Sequence, residues 1–504
     1  MAAVEERRES WLRLAAIGAI VLSLVISAAF GFLHRTLGGP GDQLLYYTQA
    51  GHLTPFVDHY YGPGYFVVLR LLKGASGLEW FAAGKLLSWL SAAGFLLCSY
   101  RLLIRVLPGP YCYAAVILVA LNPTVITMSY SSLTVMFGAL TVTAAVVLLL
   151  EAEKRSNFAL ASGFVFALAS LSRFQANGFF LGALAGTLIW GGLSFRRRLV
   201  QAGKLLIAFL LPMVAWYGYL KVSQGGAPAN HNFVHLTLAL GRFREFSEVE
   251  DLIRTYGSMT GVLQTPGAIP AILRMLAAET LKFPFRNGVE LLFLAAAWLV
   301  PAACLVVAQP KLWRPWLLAL AAGFVATNLS SRGWVYYYLP VMPGLAYLVC
   351  LAASQFDQAA PAAARRIQWI AILGVLFVAT PIRARAMFRE LEWPEWRTAR
   401  EYLRRTTGPL DLVTSTAGSL PYGLDTRFID QDRVYRVKRL DQFVERLRGA
   451  GVTRVVVTDR HSLDEHPELE PLLRDDPSGI PAGLHRDTLL LQPRRLAILR
   501  VTAP

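Results

Sequence analysis

Eleven apolar stretches, most of them near 20 residues long and parted by polar breaks, occupy most of residues 11–383 of this 504-residue chain. A helix needs roughly 20 apolar residues to cross the hydrocarbon of a bilayer, and inside it every backbone polar group must find a partner. The stretches lie at 11–33, 80–104, 113–128, 130–150, 157–173, 174–192, 200–220, 287–308, 315–330, 335–354 and 367–383. Composition agrees, with 55% hydrophobic and 16% charged residues where soluble domains carry about a quarter charged. The expected fold class is a polytopic α-helical membrane protein with about eleven transmembrane helices. Residues 11–33 lack the marks of a cleaved signal peptide and read as a retained signal anchor.

Two breaks stand out. The stretch "LNPTVITMSYSS" places Pro123 and a hydroxyl cluster between two runs, and proline interrupts a helix because it lacks a backbone N–H. The run 157–192 is too long for one span and must turn, and "SLSRFQANG", with Arg173 and Gly178, is its one polar interruption.

The net charge of +16 does not point to nucleic acid, because the basic residues punctuate the apolar runs. Cytoplasmic loops of membrane proteins collect Lys and Arg. If the N-terminus with Arg7, Arg8 and Arg13 is cytoplasmic, the inner connections are "YRLLIRVLPGP", "EAEKRSN", "SFRRR", "AQPKLWRP" and "AARR", each of them basic. The outer connections are then 34–79, the Asn-Pro break, the Arg173 turn, the long 221–286 loop and "SSRGWVYYYLP". After eleven crossings the tail also lies outside. This organisation predicts a transmembrane domain over 1–383 and an extracytoplasmic domain over 384–504, in a multi-pass protein of the inner (plasma) membrane.

In the tail, "WPEWRTAREYLRR" and "LDQFVERLRGAGV" read as amphipathic helices, and "PLDLVTST", "TRVVVTD", "LLLQ" and "LAILRV" as strands. The alternation predicts a small α/β domain. The segment "RHSLDEHPELEPLLRDDPSG" reads as a loop with one helical turn. Cys98, Cys112, Cys304 and Cys350 lie in or beside apolar runs without CxxC spacing, so they read as buried thiols and not as disulfides or metal ligands. There is no internal repeat.

Directly after the first span comes "GGPGDQLLYYTQAGHLTPFVDHYYGPGYFVVLRLL". An Asp, an aromatic helix start, a "GPGY" turn and an apolar half-helix follow one another there. This order resembles the membrane glycosyltransferases of the GT-C fold, the group that includes protein O-mannosyltransferases and the lipid A aminoarabinose transferase. "ALNPTVITMSYSSLTVMF", "FALASGFVFALASLSRFQANGFF" and "SRGWVYYYLPVMPGLAYL" resemble later segments of the same group in order and spacing, so that the likeness covers roughly 10–355. One departure is plain: many members carry a second acidic residue directly after the loop Asp, and here Gln43 stands there.

The resemblance implies transfer of a sugar from a polyprenyl-phosphate carrier to a glycan, lipid or protein acceptor on the extracytoplasmic face. An attacking hydroxyl then needs a general base, and the departing phosphate needs cations. Asp42 fits the base, and it equally fits an N-cap of the helix that follows; the two roles are compatible. Asp58 is a second candidate carboxylate and also reads as a turn residue. Arg173, Lys282, Arg286 and Arg332 fall at the outer ends of runs, where the positive-inside tendency gives no reason for a cation. They are the candidates for the donor phosphate, against simple snorkelling to headgroups. Tyr46, Tyr60, Tyr61, Tyr65 and Tyr337 could stack on a sugar or acceptor, or form an interfacial aromatic belt. The pair in "HNFVH" has no third ligand, so no metal site is assigned; a divalent ion between Asp42 and the donor phosphate is the cofactor this chemistry would allow. Two other functions fit a chain of many spans: an O-antigen-type polymerase or ligase, and a lipid or glycan flippase or transporter. Transporters favour repeats and charges at mid-membrane; here Lys85 is the one charge well inside a clear span.

Overall fold

The computed structural model of the protein describes residues 2–33, 63–131, 133–190, 192–224, 267–286, 299–308, 314–330, 335–359, 361–391, 394–416, 427–428, 439–459, 467–490, 492 and 494–502. They fall into two compact units, the first of described residues up to Phe32 and from 63 to Ala384, the second of Leu33 and the described residues from Arg385 on, so that the last turns of the helix Ala362–Leu391 group with the second.

The first unit is helical. Its elements are α1 (Ala2–Leu33), α2 (Gly64–Ser76), α3 (Trp80–Val106), α4 (Gly109–Ala120), α5 (Pro123–Met128), α6 (Thr134–Ala152), α7 (Phe158–Ser170), α8 (Ala176–Ile189) and α9 (Phe195–Gln224). There follow α10 (Ala268–Arg286), α11 (Val300–Ala308), α12 (Pro315–Ser330), a 3-10 helix (Val335–Val341), α13 (Met342–Ala359) and α14 (Ala362–Leu391).

Among the described residues, five segments are long and apolar enough to cross a membrane: Glu9–Ala29, Trp80–Val106, Thr134–Ala152, Phe195–Tyr219 and Tyr336–Ala359. Four more helices, α4, α7, α8 and α12, are apolar but shorter. At about 1.5 Å per residue, the 14 residues of α8 reach only about two thirds of the way across a core of about 30 Å. The expectation of 113–128 as one span is corrected: the run is split at Leu121 and Asn122 into α4 and α5. The cause is local. Pro123 cannot donate to α4, and the Asn122 side chain accepts from Thr124 N at 2.9 Å, capping a new helix with proline in its first turn.

Burial separates centre from perimeter. In α6 and in Tyr336–Ala359, 78% of the apolar window is buried, against 28% in α1 and in α9, which leave their apolar faces outward as lipid-facing helices do. The closest pairing joins α8 to α12 through Gly178, Gly182 and Gly186. A Cβ on Gly182 would stand 2.4 Å from Leu318 O and 2.6 Å from the Ala322 Cβ, and one on Gly178 would stand 2.2 Å from the Ala326 Cβ. Small residues four apart let two backbones approach where the hydrophobic effect gives no drive between helices.

The second unit contains α15 (Pro394–Thr406), β1 (Leu412–Ser415), β2 (Arg427–Phe428), α16 (Leu440–Gly449), β3 (Arg454–Thr458), a 3-10 helix (Pro467–Leu473), β4 (Leu484–Leu490) and β5 (Leu496–Val501). The strand order is β2-β1-β3-β5-β4, with β1 parallel to both β2 and β3 and the β3–β5 and β5–β4 pairs antiparallel. One face is covered by Phe443, Val444 and Leu447 of α16 with Leu469, Leu472 and Leu473. Ala399 and Leu403 of α15 cover the other. The segment expected to be loop therefore supplies three core leucines. Arg495 Nη1 lies 2.9 Å from Glu470 Oε1, and this bond holds the Glu470 carboxyl below the ordinary carboxylate range.

Candidate functional site

The site grows from the turn between α7 and α8. Helix α7 ends with the Ser172 hydroxyl donating to Leu168 O at 2.7 Å and Arg173 N donating to Ala169 O at 2.7 Å. Ala176 N then donates to Arg173 O at 3.0 Å, which opens α8. The start of α2 closes on this turn, Gly64 N donating to Leu171 O at 3.1 Å. A Cβ on Gly64 would stand 2.5 Å from Ser172 Oγ, so the "GPGY" turn needs a glycine there to sit so near.

Arg173 projects from the turn across the face of α6 and is only 7% exposed. Its path runs over Gly138, where a Cβ would stand 2.8 Å from Arg173 Cδ. Its Nη1 donates to Thr134 Oγ1 at 2.9 Å, in the first turn of α6, and its Cζ lies 4.5 Å from the centre of the Tyr337 ring. A guanidinium over an aromatic face gains about 0.5–2 kcal/mol. The charge thus has a hydroxyl acceptor and a ring in a setting where an uncompensated one would be costly.

Arg173 lines a cleft with about 330 Å³ of atom-free space, its open mouth included. Val135, Gly138 and Val142 of α6 form one side, and Gln175, Ala176 and Phe179 another. Tyr336, Tyr337 and Pro340 of the 3-10 helix complete it. The rings of Tyr336 and Tyr337 lie 4.7 Å apart. Behind them Tyr338 is buried, its hydroxyl donating to Asn328 Oδ1, and Asn328 Nδ2 donates to Thr280 Oγ1 at 3.2 Å. Phe283 of α10 packs on the Tyr338 ring at 4.4 Å. The aromatic segment is therefore held from two sides, by Arg173 in front and by α10 and α12 behind. The cleft has a cationic end and apolar walls, a combination that suits an amphiphilic anion.

Of the residues expected from sequence, Arg173 and Tyr337 meet in this cleft. Tyr65 is fully buried, its ring edge-on to Phe66 at 5.9 Å and to Phe137 at 5.8 Å, which is core packing. Lys282 extends from α10, 58% exposed, with Nζ 3.8 Å from Glu279 Oε1. Arg286 ends α10, and its side chain lies outside the described residues, as do Asp42, Asp58, Tyr46, Tyr60, Tyr61 and Arg332. Among the described residues no group of three or more His, Cys, Asp or Glu side chains could hold a metal. Asp42, the carboxylate expected to meet a divalent ion, is not among them.

Sequence reasoning did not single out Thr134, Gly138 or Gln175. A glycine in an otherwise apolar helix facing an arginine turn was the available signal, but nothing local says which glycine meets which arginine. In sequence, Lys85 reads only as an isolated charge. It is 8% exposed, its Nζ 4.2 Å from the Phe81 ring centre. One turn on, the Ser88 hydroxyl donates to Ser131 O, on the approach to α6.

No family model and no curated protein matches this sequence. Solved structures do match in shape. ArnT from Cupriavidus metallidurans bound to undecaprenyl phosphate superposes with a TM-score of 0.51 at 14% identity, over 97% of this chain and 98% of that one. The same protein in the apo state gives 0.51 at 16% identity, over 96% and 98%. The apo oligosaccharyltransferase of Archaeoglobus fulgidus gives 0.52 at 13% identity, over 91% of this chain and 72% of that one. At such identities the likeness speaks for the fold alone, and that fold is the one shared by these membrane glycosyltransferases. With its apolar helices, this chain is an integral membrane protein of the GT-C fold.

Proposed function

We propose that the protein transfers a sugar, a hexose or pentose, from a polyprenyl-phosphate-linked donor to a glycan, lipid or protein acceptor on the extracytoplasmic face. On this reading about eleven helices cross the inner membrane and 384–504 lies outside with the acceptor. The observation that carries it is Arg173: a nearly buried guanidinium, held by Thr134 and Tyr337, in a cleft whose other walls are mostly apolar. A lipid phosphate matches both ends of that cleft. The fold supports the reading, and one neighbour of that fold was solved with undecaprenyl phosphate bound.

In the step we infer, the acceptor oxygen bonds to the anomeric carbon as its proton passes to the Asp42 carboxylate. The bond from that carbon to the phosphate oxygen breaks, and its electron pair leaves with the phosphate. Arg173 neutralises the growing charge, with Lys282, Arg286 and Arg332 as further cations at the same outer level. Asp58 is the reserve carboxylate; a divalent ion, if one is used, would be held by Asp42 and would supply further positive charge for the phosphate. A single displacement inverts the anomeric centre. Tyr46, Tyr60, Tyr61 and Tyr337 form the aromatic surroundings expected of a sugar site, while Tyr65 belongs to the core packing.

The test is transfer by purified protein supplied with lipid-linked sugars extracted from its host. Asp42→Asn should lower the turnover rate by about 10²–10⁴, the usual worth of a general base, with protein level and donor binding unchanged. Near-normal transfer by that variant would remove Asp42 as the base. Movement of labelled lipid across vesicles without a new glycosidic bond would favour a flippase instead.

A further inference from the structure

We propose that Gln175 reads the donor sugar, as a specificity-determining residue beside the phosphate site; this rests on the carrier reading above. Gln175 stands two residues after Arg173 in the same turn and lines the same cleft. It occupies the N-cap position of α8 with helical backbone angles (φ −56°, ψ −25°), where a shorter Ser, Thr, Asp or Asn would accept from the first backbone N–H groups. Its own side chain does not do so. Only its backbone carbonyl is engaged, accepting from Gly178 N at 3.1 Å. Among the described residues the carboxamide makes no hydrogen bond, and the residue is half-buried at the cleft wall.

The rest of the lining sharpens the point. Val135, Val142, Ala176, Phe179 and Pro340 offer no hydrogen bonds, and Arg173 is a cation suited to phosphate. Among the described lining residues Gln175 is the one carboxamide, and the Tyr336 and Tyr337 hydroxyls are the other neutral polar groups. An amide presents donors and an acceptor side by side, which is what adjacent sugar hydroxyls require. A sugar is joined to its phosphate through a single oxygen, and Gln175 and Arg173, two positions apart in one turn, line the same cleft. A hydroxyl bound by Gln175 would thus sit on a sugar whose phosphate rests on Arg173. An amphiphile lacking a sugar would leave the amide unused.

The experiment measures binding to the full-length protein in lipid nanodiscs by native mass spectrometry. Its probes are undecaprenyl phosphate and undecaprenyl phosphates carrying mannose, glucose, galactose or arabinose. Wild type should hold at least one sugar-bearing lipid more tightly than the bare one. Gln175→Ala should shrink that preference by about three- to tenfold, the net worth of one or two neutral hydrogen bonds, and leave the bare lipid unaffected. Gln175→Asn, a shorter amide that keeps the fold, should fall between. Arg173→Ala should weaken every probe. The proposal is overturned if wild type prefers no sugar-bearing lipid, if Gln175→Ala retains the preference, or if it weakens the bare lipid equally. Should Arg173→Ala leave bare undecaprenyl phosphate untouched, the carrier reading itself fails, whatever Gln175 does.

Discussion

Arg173 and Gly138 form a pair in which an absent side chain does as much as a present one. The guanidinium reaches Thr134 and Tyr337 only because Gly138 leaves its path clear, the missing Cβ falling 2.8 Å from Arg173 Cδ. Gly138→Ala should displace the arginine chain. The helix gains a better former, but overpacking of about 1–3 kcal/mol opposes it, so folding should survive while the guanidinium loses its seat. We expect reduced transfer with a thermal midpoint within a few degrees of wild type, both measured on purified protein. Full activity in Gly138→Ala would mean that the observed path of Arg173 is immaterial to the site. None of this was legible locally. The sequence marks Arg173 as unusual, because a cation interrupts an apolar run. It says nothing of which residues of α6, 39 positions earlier at Thr134, receive it.

Among the elements, the α8–α12 pair determines where the Arg173 turn sits, since α8 starts from that turn. The pairing depends on Gly178, Gly182 and Gly186 lying against Leu318, Ala322 and Ala326. Gly182→Leu should force the backbones apart and sharply reduce the folded protein recovered in detergent by size-exclusion chromatography. Gly203→Leu on α9, where a Cβ meets nothing within 4 Å, should be tolerated. Equal recovery of both variants would refute the close-packing account. At this scale the sequence was a better guide. "SLSRFQANG" marked the turn between α7 and α8 because a charge and polar residues cannot continue an apolar span. The Asn-Pro pair marked a helix boundary, although the boundary falls within the expected span 113–128. In the second unit, β3 was readable as a short β-branched run and β5 as a short apolar one. The leucines of Pro467–Leu473 were not, because their charged and proline neighbours mask a core segment.

For the molecule as a whole, the fold was legible through the order of degenerate motifs, no one of which is specific by itself. The fold itself is shared in shape with ArnT of Cupriavidus metallidurans at 14–16% identity. A membrane fold tolerates such drift because most lining positions ask only for an apolar residue, and helix order alone conveys the topology. The site is harder to read, because its members come from α6, the α7–α8 turn and the 3-10 helix, distant in sequence and joined only in three dimensions. The central claim is that a lipid phosphate lies against Arg173 in that cleft. A photoreactive undecaprenyl phosphate with a diazirine in its first isoprene unit tests it most directly, by crosslinking to the full-length protein and mapping the labelled peptides. Label concentrated on 135–142 and 336–340, and lost in Arg173→Ala, is the predicted result. Label elsewhere, or label indifferent to Arg173, would contradict it.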